Sequence, residues 1–282
     1  MIIDNWIFNV TDNLSDGRWR GYIYRYVKRY QIADYFHIYK YYQIIISDVK
    51  KEKFIVMKII INDGFRADWV ETALFSGIME IPVIKKQNIA DLPKQLVPFT
   101  VRNRVDGNDE ILCFYEHDEK FYDFINNPDE FIGDLQKFKG VISPDCSLYI
   151  DMPLCLQITD VYLNRAIGHY LQEKGFFVIP NIRWGDERTY TTCELPEKIA
   201  FQGVEKHSIV AVGEYGQIRT KEDKEYFREG LIAMLDELEP EIVLVYGKMS
   251  KKIFDGLLNR TKFVFYEDWI SLKRGGNAHG NK

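Results

Sequence analysis

The chain has 282 residues, 46% of them apolar and 15% aromatic, with a net charge of −5. That composition suffices for one large core or two modest ones and excludes bulk disorder. No run approaches the ~18 uncharged apolar residues of a membrane span, and Asp4 stands where a secretion signal would carry positive charge, so a cytoplasmic protein with no membrane contact is expected.

The charge is unevenly spread. Residues 18–58 hold ten Lys or Arg against three acids, a charge of +7, so the rest of the chain carries −12. A basic module on an acidic body points to an anionic partner. Between Tyr22 and Tyr42 there are eight tyrosines in 21 residues. The run GYIYRYVKRY fits a strand with Tyr22, Tyr24 and Tyr26 on one face. It fits equally a helix with Tyr22, Tyr26 and Tyr30 in line. HIYKYYQIII and KFIVMKIII are rich in β-branched and aromatic residues and predict a β-hairpin with a loop near residues 47–52.

ADWVETALFSG predicts a short helix closed by Gly77. Pro82, Pro93 and Pro98 then punctuate a winding connection with short strands. ILCFYE predicts a strand at 111–116. EKFYDFIN and PDEFIGDLQKF predict two short helices, the second opened by Pro128. VIS, FFVIPN, SIVAVG, EIVLVYG and KFVFYE read as strands apolar on both faces. Residues 154–173, KEDKEYFREGLIAMLDELEP and SKKIFDGLLN read as helices. Alternating strands and helices of this kind predict an α/β fold with a mainly parallel sheet covered by helices. The expected organisation is an aromatic-rich α+β module with its hairpin in residues 1–100, an α/β domain in 101–270 and a frayed tail in 271–282. The cysteines Cys113, Cys146, Cys155 and Cys193 form no C-x-x-C pair and no zinc spacing, so reduced and mostly buried thiols are expected.

One stretch carries a resemblance. Ser143-Pro144-Asp145, Ser147, Tyr149, Asp151-Met152-Pro153-Leu154, Asn164-Arg165, Gly168, Val178-Ile179-Pro180-Asn181 and Arg183-Trp184-Gly185-Asp186-Glu187 resemble the family called domain of unknown function 4417. Ser208 to Gly213 and Val245-Tyr246-Gly247 are similar to its later strands. The resemblance covers roughly residues 95–267. It departs after Gly213, where Glu214-Tyr215-Gly216-Gln217 replaces a Gly-Thr-x-Gly-Cys turn. The family is associated with phages, prophages and mobile elements, and the resemblance implies no particular reaction.

In parallel α/β sheets ligands bind beyond the carboxyl ends of the strands. Two polar clusters fall there: Asp145, Tyr149 and Asp151 after VIS, and Asn181, Arg183, Trp184, Asp186, Glu187 and Arg188 after FFVIP. Adjacent strands would join them into a carboxylate-rich pocket, with Arg165 as a third arginine. Carboxylates there could hold Mg²⁺, and arginines could grip phosphate. The same residues could equally form a structural network that ties loops down. No P-loop, Rossmann fingerprint, G-x-S-x-G or H-E-x-x-H is present, so no catalytic signature supports an enzyme.

The basic tyrosine run offers Arg18, Arg20, Tyr22, Tyr24, Arg25, Tyr26, Lys28, Arg29 and Tyr30 as anchors for a protein partner. Stacking and phosphate contacts there would serve nucleic acid instead. The leading expectation is a phage or mobile-element accessory protein that acts by binding a host or element protein, with inhibition of host defence as one form of that role. The rivals are a metal-dependent enzyme or a binder of a phosphorylated, nucleotide-like ligand, and a nucleic-acid-binding protein.

Overall fold

The structure is a computed structural model that describes residues 65–278, apart from 215–217, 219 and 249. The hairpin expected within residues 37–61 and the basic tyrosine run lie outside the described residues. In chain order, strands β1 (Phe75–Ser76) and β2 (Ile81–Pro82) form an antiparallel pair, followed by β3 (Gln95–Pro98) and β4 (Glu110–Cys113). Two short helices, α1 (Tyr122–Asn126) and α2 (Ile132–Leu135), precede β5 (Gly140–Ile142). Helix α3 (Leu154–Glu173) leads to β6 (Val178–Ile179), and the short α4 (Glu187–Tyr190) leads to β7 (Ile209–Gly213). Then come α5 (Lys221–Leu238), β8 (Ile242–Tyr246), α6 (Lys251–Phe254), β9 (Lys262–Tyr266) and α7 (Trp269–Ala278).

Strands β3 to β9 are all parallel and lie side by side in the order in which the chain makes them. Two ladders, β3-β4-β5-β6 and β7-β8-β9, meet where Ala211 donates to Pro180 O at 3.0 Å and accepts from Ile182 N at 2.8 Å. Right-handed crossovers taken always in the same direction put every covering helix on one face. The packing shows this. Val97, Leu112, Val141 and Val178 pack with Ala166, Ile167 and Leu171 of α3. Val210, Val212, Val243 and Val245 pack with Phe227, Leu231, Met234 and Leu235 of α5.

The alternate strand residues face the other way and have no helix to meet. Leu96, Ile111, Cys113, Ile142, Ile179, Ile209, Ala211, Leu244, Tyr246 and Tyr266 form a cluster of their own. The sheet therefore curls on itself. In a flat sheet β4 and β8 would stand about 19 Å apart, four strand spacings. Here Tyr115, just past β4, stacks on Tyr246 of β8 with ring centroids 5.2 Å apart. Across the open seam, the Tyr266 hydroxyl on β9 donates to the Pro93 carbonyl at 3.0 Å, just before β3. The result is an incompletely closed barrel with a solid apolar interior.

The expected fold class holds, and helices α3 and α5 match the sequence reading closely. Acidic residues occupy the first turn of α5, and Thr220 caps it, accepting from Asp223 N at 3.0 Å while Asp223 accepts from Thr220 N at 2.8 Å. Three local expectations fail. ADWVETALFSG forms only a 3₁₀ turn at Ala67–Trp69, because its buried side chains, Trp69 and Val70, are neighbours that make no helical stripe, and Gly77 serves the β1–β2 turn instead of a helix end. The tail is helical to Ala278 because the Asp268 carboxylate accepts from Ser271 N at 2.9 Å and Ser271 Oγ at 2.6 Å, starting α7. Of the thiols, Cys113 and Cys146 are buried, but Cys155 and Cys193 are exposed.

Closure demands a glycine at Gly213. A Cβ there would overlap the ring of Tyr115, which is already stacked on Tyr246. Gly213→Ala is therefore expected to destabilise the fold by about 1–3 kcal/mol, the scale of core overpacking, read as a lower denaturant midpoint.

Candidate functional site

The carboxyl ends of the parallel strands open onto one polar end of the barrel. The loop after β5 and the loop after β6 meet there. Asn181 is the junction. Its backbone N donates to Ser143 Oγ at 2.9 Å, and its carbonyl accepts from Arg165 Nη1 at 2.7 Å. Its Oδ1 accepts from the Tyr115 hydroxyl at 3.1 Å, and its Nδ2 donates to Asp145 Oδ1 at 2.8 Å. Arg183 Nη1 closes the chain on Asp145 Oδ2 at 2.8 Å. A relay from Tyr115 through Asn181 and Asp145 to Arg183 thus crosses the barrel mouth, and every member is buried. Burial pushes the Asp145 carboxyl up, while the charge of Arg183 and the Asn181 hydrogen bond pull it back. Burial pushes the Tyr115 hydroxyl well up, so it stays a donor.

Arg183 is 9% exposed, yet its Nε has no hydrogen-bond partner. Beside it sits Asp160 of α3, half-buried. Burial, and then the charge of Asp118, lift the Asp160 carboxyl to about 7, with Arg183 opposing. Asp118 itself accepts from Ser147 N at 3.0 Å and Ser147 Oγ at 2.7 Å. Glu214, one residue past β7, is also buried, and burial lifts its carboxyl to about 7.

The second expected cluster forms a separate network. Asp186 is 3% exposed. It accepts from Asp151 N at 3.1 Å, Gln157 Nε2 at 3.0 Å, and Arg188 Nε at 2.8 Å and Nη2 at 2.7 Å. These contacts, led by Arg188, hold its carboxyl at about 2. Asp145, Asp151 and Asp186 therefore do not converge. The buried Asp145 and Asp186 each have their own arginine, and among the described residues no group of three or more His, Cys, Asp or Glu is placed to hold a metal ion. The single pocket expected from both clusters is corrected to two networks that share only the strand-end loops.

Other expected members also resolve. Trp184 packs against Phe227 at 5.1 Å and belongs to the outer core. Glu187 is exposed at the start of α4, and Tyr149 is 60% exposed at a loop tip. Arg165 is fully buried and spends its guanidinium on the carbonyls of Asn181, Ala200 and Gln202, at 2.7, 3.0 and 3.0 Å. It is a strut, not a ligand-facing cation. Sequence reasoning missed Tyr115, Asp118, Gln157, Asp160 and Asn164. The available signal was the polar set Gln157, Asn164 and Arg165, spaced to share the buried face of α3.

The family model described as Domain of unknown function (DUF4417) matches residues 73–267, well over half of the chain. The chain belongs to this family. The match starts earlier than residue 95, taking in the whole β1–β2 hairpin as well as the whole parallel sheet. The Gene 1 protein of Mycobacterium phage L5 is 29% identical over 177 residues, 62% of this chain and 73% of its own length. The Gene 1 protein of Mycobacterium phage D29 is 30% identical over 138 residues, 49% of this chain and 48% of its own length. No solved structure matches. Both relatives are phage proteins, in keeping with the expected association. No helix among the described residues is long and apolar enough to cross a membrane.

The depressed carboxyl of Asp186 gives a signed pH dependence. Its contribution to stability is complete above the ordinary carboxylate range and is lost as pH falls through about 2. The stability difference between the wild type and Asp186→Asn should be largest above about pH 4 and shrink steadily toward pH 2, as followed by urea unfolding at each pH.

Proposed function

We propose that this is a phage or mobile-element accessory protein whose working site is the barrel mouth, where Arg183 receives an oxygen of a phosphorylated, nucleotide-like ligand. One observation carries this reading: a guanidinium buried to 9% exposure with an Nε that no acceptor satisfies. Leaving such a group unmade costs on the order of 1–3 kcal/mol. A ligand oxygen would recover that cost, and the position beyond the strand ends is where such folds place ligands. Asp160 sets the pH response. An anion beside Arg183 is repelled by ionised Asp160 and tolerated by the protonated form, so binding should strengthen as pH falls through about 7.

The test is a thermal-shift and calorimetry panel of nucleoside mono- and triphosphates, orthophosphate and unphosphorylated nucleosides. A phosphorylated ligand at ~100 times its dissociation constant should add ~2.7 kcal/mol of stability, and at one fixed concentration the gain should be larger at pH 6 than at pH 8. Arg183→Gln should remove the effect. If no phosphorylated compound shifts the unfolding temperature, or if Arg183→Gln binds as well as the wild type, the reading fails.

A second reading is favoured by the charge asymmetry of +7 in residues 18–58 against −12 elsewhere. Under it the basic tyrosine run docks a host or element protein, such as a defence component. It expects a stoichiometric protein captured from host lysate after nuclease treatment, and its loss when Arg18, Arg20, Arg25 and Arg29 are changed to Glu. Capture of nucleic acid alone would replace it with nucleic-acid binding.

A further inference from the structure

The loop between β5 and α3 is built to hold apolar side chains out in water. Tyr149 is 60% exposed, Ile150 40%, and Leu156 in the first turn of α3 48%. The backbone beneath them is gripped from several directions. Asp151 N donates to the buried Asp186, and Met152 O accepts from Gln157 Nε2 at 2.8 Å and Arg188 Nη2 at 2.9 Å. Met152 N returns to Tyr149 O at 3.2 Å, closing a tight turn. Ser147, at the loop's start, is bonded to Asp118. Asp151 holds φ at 61°, a left-handed conformation that side chains resist and that surrounding contacts must impose. Gly185 lets this grip close, since a Cβ there would overlap the Gln157 carboxamide.

An aromatic and an aliphatic side chain fixed in solvent on a clamped loop have already lost the freedom that binding would cost them. The surroundings state the partner's charge. Asp151 and Glu187 are exposed beside the loop. Neither forms an ion pair among the described residues, and Arg188 is already neutralised by Asp186. The apolar tip therefore sits in a negative rim, which favours cationic partners and repels nucleic acid.

We propose that residues 149–153, with Leu156 beside them, form a docking surface for a protein segment that combines lysine or arginine with an apolar anchor. The surface is independent of ligand binding at Arg183. The test measures binding of the full chain, by fluorescence anisotropy, to three short synthetic peptides: Leu/Lys, Leu/Glu and Ser/Lys. The Leu/Lys peptide should bind and the other two should not. Tyr149→Ser with Ile150→Ser should weaken it about tenfold or more, the scale of losing an interface anchor, with the unfolding temperature unchanged. Asp151→Lys with Glu187→Lys should weaken it as well. No binding of the Leu/Lys peptide, equal binding by the double-serine variant, or preference for Leu/Glu or Ser/Lys would overturn the proposal. So would sedimentation showing that the wild type dimerises through this loop, because the occupant would then be a second copy.

Discussion

A parallel sheet whose strands follow one another in chain order has only one helical cover. Everything else in this molecule answers that constraint. The uncovered face carries Leu, Ile and Tyr side chains that water would penalise, so the sheet closes around them and they cover one another. Closure fixes the position of Tyr115 against Tyr246 and makes Gly213 obligatory beneath it. It also draws the strand-end loops toward a common centre, where isolated polar residues become a connected network.

Asn181 shows how the polar end is assembled. It lies just past the last paired residue of β6, at the point where the two ladders join. Its main chain is held by Ser143 and Arg165, and its carboxamide links Tyr115 to Asp145. Sheet continuity and mouth chemistry thus run through the same residue. Arg165 reinforces it from behind by satisfying three main-chain carbonyls, which places a full positive charge in the interior without any carboxylate partner. Burial depresses that guanidinium to about 9. The ion-dipole contacts with three carbonyls are what keep the charge tolerable there.

Much of the architecture was legible because its signals are local. The α5 helix announces itself through its amphipathic pattern, first-turn acids and the terminal Pro240. Strands such as IVAVG and IVLVY read as doubly buried because both faces are apolar. That same uniformity hid the curl: a run that is apolar everywhere does not say which side meets a helix and which meets the opposite wall. The α3 helix misled in a complementary way. Its buried face mixes Val161, Ile167 and Leu171 with Gln157, Asn164, Arg165 and His169, while the apolar Leu156 points outward. The polar residues of the two networks stand out in the sequence, but their division was not readable. Whether Asp186 joins Asp145 or Arg188 depends on where a loop turns back, and that is set by Asp151 adopting a conformation no pattern of letters announces.

The seam between β3 and β9 carries a consequence for the birth of the chain. The hydroxyl that spans it joins residues 173 positions apart in sequence. A ribosome adding 5–20 residues per second takes roughly 10–35 s to cover that distance. During that time the inner wall of the nascent sheet has no far side to meet, and its leucines and isoleucines are open to chaperones and to one another. The last strand made is the one that dries the interior, so a chain truncated before Tyr266 is left with a greasy trough instead of a barrel.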